Sequence, residues 1–262
     1  MTLLVALHRH DRTIVILILL AAIAASWAYL LFGVDAAVPE MDDMGMAMPM
    51  SPPGWTGGQA ALTFAMWAAM MAAMMLPSAA PMLLFYDVIA RKRNAGSAAI
   101  GPTSLFGLGY LAVWAGFSAL AVALQYGLDR ANLLSPMLQT TSVALTAALL
   151  VAAGVYQWTP LKQSCLRHCR SPLDFVLQHW RGGRRGAFAM GITHGLYCLG
   201  CCWMLMLLLF VGGVMSFAWI AAIALFVLVE KLAPAGHWIG KAAGVALIGW
   251  GGYVLTSLFM GA

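Results

Sequence analysis

Long apolar segments constrain the fold of this chain more than any other feature of its sequence. Seven such segments cover residues 13–33, 60–90, 101–127, 136–158, 187–212, 215–229 and 240–259, and the sixth is the shortest. Most of them reach the roughly 20 residues that an α-helix needs to cross a bilayer. Continuous apolar runs of this length exclude a barrel, so we predict an all-α membrane protein, a bundle of about seven transmembrane helices.

Composition and charge agree with that prediction. Hydrophobic residues make up 63% of the chain and charged residues only 9%. Every Lys and Arg except Arg130 lies before the first segment or after the second, fourth or sixth, hence on one side of the membrane. The positive-inside rule makes that side cytoplasmic and places the N-terminus inside. We therefore expect the lipid bilayer as a partner, and the net charge of +5 requires no nucleic acid.

The first segment divides the chain into three regions. Its apolar core, residues 14–32, is longer than the 7–15 residues of a signal peptide, so we predict a retained transmembrane anchor over residues 1–33. Residues 34–59 then form an acidic, methionine-rich loop on the periplasmic side. Residues 60–262 form a polytopic helical membrane domain.

The periplasmic loop repeats methionine within the sequence MDDMGMAMPM. These residues are Met41, Met44, Met46, Met48 and Met50. Thioether sulfur selects Cu(I), and the neighbouring carboxylates attract cations less selectively. The alternative is a disordered acidic loop in which methionine recurs without a function. Since methionine has no obvious use in a solvated loop, we interpret this segment as a site that collects metal.

The second apolar segment carries methionines at helical spacing. Met66, Met70 and Met74 repeat every four residues, and Met71 and Met75 run alongside. Such stripes are often flexible core packing, because the unbranched thioether fills irregular gaps. The prolines that follow favour a kink, however, and broken membrane helices often line binding sites. The stripe is therefore a candidate metal site with packing as its equal alternative.

The inner segment 159–186 contains a pair of cysteines, Cys165 and Cys169, four residues apart. On a helical turn both side chains face the same way, which makes a two-thiolate metal site plausible. The alternative is two reduced cytosolic thiols without partners, since two ligands do not make a strong zinc motif. A short interfacial helix is predicted near residues 171–180, with Leu173, Val176 and Leu177 on its apolar face.

Residues 191–206, GITHGLYCLGCCWMLM, concentrate four polar or soft side chains in the fifth segment. At about 100° per residue, His194, Cys198 and Cys202 share one helix face, and Cys201 falls between them in projection. A single cysteine in a membrane helix is a small hydrophobe, but an intramembrane histidine is costly and marks function. We predict a site for Cu(I), zinc or another thiophilic metal here.

The sixth segment ends with a charged pair, Glu230 and Lys231. We interpret the pair as snorkelling side chains at the inner boundary of the membrane, because long charged side chains near helix ends reach for the interface. A proton or metal relay is the alternative.

Four motifs together resemble a known family. MWAAMMAAMMLPSAAPM, CLRHCRSP, GITHGLYCLGCCWMLM and EKLAPAG, in this order, are similar to the bacterial family described as predicted metal-binding integral membrane proteins, domain of unknown function 2182. The resemblance covers residues 60–259. It implies a polytopic protein of the bacterial inner (cytoplasmic) membrane with a metal site, and it supports the cluster on residues 194–202.

These observations favour a membrane protein that binds Cu(I) inside its helix bundle for copper uptake, storage or delivery to a membrane enzyme or metallochaperone. No nucleotide loop, serine elbow or c-type haem motif is present in the sequence, which favours a protein without catalytic activity. One alternative is a membrane thiol-disulfide oxidoreductase that uses Cys198 and Cys201. Another is a structural subunit of a membrane complex, in which the sulfur atoms only pack.

Overall fold

The computed structural model describes residues 2–33, 55–93 and 100–260. The regular elements in these ranges are α1 (Thr2–Ala28), which ends in a π-helical turn (Tyr29–Gly33), α2 (Gly57–Arg93), α3 (Ile100–Arg130), α4 (Val143–Tyr156), α5 (Pro160–Arg170), α6 (Pro172–His179), α7 (Gly183–Leu207), α8 (Leu209–Gly212), α9 (Phe217–Leu232) and α10 (Gly236–Met260). Within the same ranges, β-pairing is limited to one isolated bridge. The predicted all-α fold is therefore confirmed.

Several of these helices have the length and apolarity to cross a membrane. In the described ranges they are Thr13–Phe32, Gly57–Arg93, Gly101–Arg130, Gly183–Gly212 and Gly236–Ser257. The bent pair α4–α5 is a sixth candidate span. With 16 residues, α9 is only about 24 Å long, which is less than the roughly 30 Å of a hydrocarbon core. The chain is a multi-pass membrane protein with five or six candidate spans, and seven stays a prediction.

The fourth predicted segment, residues 136–158, is helical only over its second half. Ser142 begins α4 by accepting a hydrogen bond from the backbone N–H of Leu145. The helix stops at Tyr156, and after a short break α5 begins with Thr159 as its cap and Pro160 in its first turn. The chain bends by 64° between the two helices. Proline supports this break because it has no N–H to continue the hydrogen-bonding of the preceding helix.

Glycines allow the closest approaches between helices. A Cβ atom at Gly191 of α7 would lie 2.0 Å from the carbonyl oxygen of Phe106 in α3, and one at Gly109 of α3 would lie 2.3 Å from the carbonyl oxygen of Phe188. Gly154 makes a similar approach from α4 to α10. Small residues permit such backbone contacts in membrane helix bundles. The α3–α7 contact fixes the helix that carries the cysteines.

A second chain break lies beside the first. Helix α9 ends at Leu232, Pro234 follows, and α10 starts at Gly236. The end of α9 is tied to α5 by an ion pair between Glu230 and Lys162, with a closest distance of 2.7 Å. The next residue, Lys231, reaches the middle of α2 and α7. Two interrupted helices therefore bring charged side chains to the centre of the bundle.

The short helix predicted near residues 171–180 is present as α6, with Ser171 as its cap. Its buried side is formed by Phe175 and Val176. Leu173 and Leu177, which were expected on the same apolar face as Val176, are 54% and 68% exposed. Val176 therefore packs on the bundle while Leu173 and Leu177 face outward, and the position of α6 at the membrane surface stays a prediction.

Candidate metal centre

The candidate centre is built on α7. The side chains of His194, Cys198, Cys201 and Cys202 are all buried in the bundle. Their burial follows from the helical spacing, because residues three and four apart lie on one face and this face points toward α2 and α3. All five cysteines are free thiols.

Cys198 is the hub of the cluster. Its sulfur lies 3.1 Å from the hydroxyl oxygen of Tyr110 on α3 and 3.0 Å from the ammonium nitrogen of Lys231 on α9. The thiols of Cys169, Cys201 and Cys202 are neighbours of this sulfur. Side chains from four helices therefore converge on one sulfur atom.

The other two thiols of α7 are held by sulfur and backbone acceptors. Cys201 and Cys202 donate to the carbonyl oxygen of Cys198, at 3.1 and 3.0 Å. The sulfur of Cys202 also lies 3.9 Å from the thioether sulfur of Met75 on α2. A thioether and several thiols thus share one buried volume, which is a donor set of the kind that Cu(I) prefers.

Cys169 lies beside this cluster. The bend between α4 and α5 turns α5 under α7, and this places the Cys169 thiol against those of Cys198 and Cys201. Cys165, one turn earlier, packs on α7, where a Cβ atom at Gly200 would lie 2.7 Å from its sulfur. The two-thiolate site on Cys165 and Cys169 stays a prediction, and the bend that brings Cys169 toward α7 is not visible in the sequence spacing.

The methionine stripe of α2 is largely internal. Met70, Met71, Met74 and Met75 are buried, and Met66 is partly buried at the edge of the same core. Met75 alone has a sulfur contact with the cysteines among the described residues. The loop methionines Met41, Met44, Met46, Met48 and Met50 lie outside the described residues.

His194 lies one turn from Cys198 in an aromatic environment. Its ring centroid is 5.2 Å from that of Phe175, 5.8 Å from Tyr110 and 5.9 Å from Phe106. The Nδ1 atom of His194 has no hydrogen-bond partner in the described part of the chain. A buried polar atom usually has a partner, so an unpaired imidazole nitrogen beside a thiol cluster is consistent with a ligand role.

The interpretation of Glu230 and Lys231 as snorkelling side chains was wrong. Glu230 is 1% exposed and pairs with Lys162 of α5, whose ammonium lies 2.7 and 2.9 Å from its two oxygens. Lys231 is 6% exposed and donates to Ser78 and to Cys198. Both side chains point into the bundle because α9 is short and ends at the level of the cysteines.

The sequence reasoning missed Lys231, Tyr110 and Ser78 as neighbours of the cysteines. A charged residue at the end of a membrane segment was the available signal for Lys231, because such residues are functional by default. No signal distinguished Tyr110 or Ser78 from packing residues. Their role depends on which helices are neighbours, and a single helical pattern does not contain that information.

The donors are close together but do not form a finished coordination shell. In the described ranges, no group of three or more His, Cys, Asp or Glu side chains is arranged to hold a metal ion. The thiols are instead hydrogen-bonded to Tyr110, to the thioether of Met75 and to the backbone carbonyl of Cys198. Metal binding would therefore exchange these hydrogen bonds for bonds to the metal.

A comparison with protein families decides the class of this protein. The PpoB2 family, described as a copper chaperone, matches residues 64–254. This range is well over half of the chain. The chain belongs to the PpoB2 copper-chaperone family. No curated protein and no solved structure matches it.

The PpoB2 match covers the helices that build the cluster. It begins in α2 before the methionine stripe and ends in α10, and it leaves out α1 and the methionine-rich loop. The metal-related character implied by the four motifs is thereby confirmed as copper-related, and the match carries the copper-chaperone description rather than the domain of unknown function 2182. The protein is a copper-related membrane protein.

Proposed function

We propose that this protein binds Cu(I) as cargo in the buried sulfur cluster and delivers it to a partner. The observation that carries the proposal is that the buried thiols of Cys198, Cys201 and Cys202 on α7 lie beside the thiol of Cys169 on α5 and the thioether of Met75 on α2. In this arrangement Cys198, Cys202 and Met75 are the first ligands. His194, Cys201 and Cys169 are additional candidate ligands, and each lies one helical turn or one side chain away from these three.

The chemistry of the cluster suits Cu(I) in particular. Thiolate and thioether are soft ligands, and Glu230, the acidic side chain next to Lys231, is paired with Lys162. Burial also keeps water from the metal. A cluster with more sulfur atoms than one Cu(I) ion needs allows the ion to change ligands stepwise, which favours transfer over permanent storage.

We propose that copper moves through the protein along soft sulfur side chains. The loop methionines would collect copper on the periplasmic side of the bacterial inner membrane, and Met66, Met70, Met71 and Met74 would lead toward Met75. Cys165 and Cys169 lie on the side of the cluster from which a membrane enzyme or a soluble metallochaperone would take the ion. Since the sequence has no nucleotide-binding loop, movement of copper would depend on the partner or on a gradient.

Copper stoichiometry of the purified full-length protein tests the proposal. We expect about one Cu(I) per chain after loading under reducing conditions, and almost none in a variant with Cys198→Ser, Cys201→Ser and Cys202→Ser, because a hydroxyl is a poor ligand for a soft ion. The matched control is Cys165→Ser, whose sulfur packs on Gly200 beside the hub. Unchanged copper content in the triple variant would exclude this site.

Deleting residues 41–50 tests the proposed collecting role of the loop. We expect weaker copper loading only when free copper is scarce, because the loop would raise the rate of capture and not the affinity of the buried site. The measurement is loading against buffered Cu(I) concentration in membrane vesicles. Equal loading of the deletion variant at every concentration would make the loop a spacer.

One other function is favoured by a specific contact. The ammonium of Lys231 lies 3.0 Å from the sulfur of Cys198, and a nearby positive charge promotes the reactive thiolate form of a cysteine. Cys198 and Cys201 would then act as a thiol-disulfide pair. Rapid thiol trapping in cells separates the two functions. A disulfide between Cys198 and Cys201 would support the redox function, and thiols that are always reduced would exclude it.

A further inference from the structure

We infer that Lys231 determines which class of metal the cluster accepts, so that its ammonium favours the monovalent ion Cu(I) over the divalent ion Zn(II). The inference rests on the proposed function, because it concerns the same sulfur cluster. It adds a selectivity determinant on a helix that supplies no sulfur ligand.

The position of the ammonium is fixed by its surroundings. Lys231 is buried at the end of α9, and its nitrogen lies 3.0 Å from the sulfur of Cys198 and 3.0 Å from the hydroxyl oxygen of Ser78. In the described part of the chain it has no carboxylate partner, because Glu230 is occupied by Lys162. A full positive charge therefore faces the thiols inside the bundle.

The charge of a bound ion determines how strongly the ammonium disfavours its binding. Thiol ligands must lose their protons to bind a metal. If Cys198 and Cys202 bind as thiolates with the neutral thioether of Met75, one Cu(I) and one ammonium make the buried group electrically neutral. Zn(II) with the same ligands leaves one unit of positive charge. Burying a net charge is costly, so the cluster accepts the monovalent ion more readily.

The electrostatic argument does not depend on exact neutrality. Repulsion between the ammonium and a metal ion is proportional to the charge of the ion, so for equal ligands it is twice as large for Zn(II) as for Cu(I). The distance is short and the surroundings are apolar, so this repulsion is weakly screened. Sulfur ligands alone bind both ions, and the ammonium supplies the discrimination between them.

Replacing Lys231 with leucine tests the inference, because leucine removes the charge and adds no atom that could bind a metal. The expected result is a shift of the ratio of the two affinities toward Zn(II) by about tenfold or more, because loss of the ammonium relieves more repulsion for the divalent ion. The affinities are measured on full-length protein in detergent by competition with a chromophoric Cu(I) chelator and a fluorescent Zn(II) chelator. Lys231→Arg keeps the charge and should keep the preference for Cu(I).

Lys241→Leu is the matched control, because the Lys241 ammonium lies against the rings of Trp158 and Trp238 and not against a thiol. It should leave the ratio of affinities unchanged. A Lys231→Leu protein that loses both metals by the same factor, or that keeps the wild-type ratio, would overturn the inference. Failure of the proposed function looks different, since the wild-type protein itself would then bind no Cu(I).

Discussion

A Glu230→Gln variant is expected to lose most of its stability, because the Lys162 ammonium would remain buried without a counter-charge. Lys162 and Glu230 are 0% and 1% exposed, so water cannot replace the lost partner. Breaking a buried ion pair by removing one partner costs about 3–5 kcal/mol. The measurement is the midpoint of thermal unfolding of the protein in detergent, and we expect a clear decrease relative to wild type.

The double variant Lys162→Met/Glu230→Met is the control for this experiment. Replacing a whole buried pair with apolar side chains of similar volume is often neutral or stabilising, because both desolvation costs disappear together. We therefore expect the double variant to unfold near the wild-type temperature. A double variant as unstable as Glu230→Gln would show that the side-chain shapes, and not the unpaired charge, hold α5 against α9.

The sequence predicted the cysteine face of α7 because that face depends only on helical spacing. His194, Cys198 and Cys202 are four residues apart, so any α-helix places them together, and the apolar residues around them predict burial. The same reasoning placed Met70 and Met74 on an internal stripe, and both are buried. Periodicity within one helix was sufficient in each case.

The positions of Cys169 and Lys231 could not be predicted in this way. Both depend on where a helix is interrupted: the 64° bend before α5 carries Cys169 under α7, and the early end of α9 leaves Lys231 at the level of Cys198. Pro160 and Pro234 signal that a helix begins or ends, but they do not specify an angle. A pattern within one segment therefore identified the candidate ligands and missed their charged and hydrogen-bonding neighbours.

The contact between α3 and α7 has the tightest geometry in the site. A Cβ atom at Gly191 would lie 2.0 Å from the carbonyl oxygen of Phe106 and 2.9 Å from its carbonyl carbon. Both are backbone atoms, so no side-chain rotation can relieve the overlap. One turn further along α3, Tyr110 reaches Cys198 with its hydroxyl. Separation of the two helices would therefore remove the contact between Tyr110 and Cys198.

A Gly191→Ala variant is accordingly expected to lose both stability and the geometry of the cluster. Overpacking costs about 1–3 kcal/mol where side chains can adjust, and we expect at least the upper end here because two backbones collide. The midpoint temperature of thermal unfolding and the affinity for Cu(I) should both decrease. Gly116→Ala on α3 is the control, since nothing lies within 4 Å of the added Cβ and alanine favours a helix. Equal stability of the two variants would show that α3 and α7 do not pack this closely.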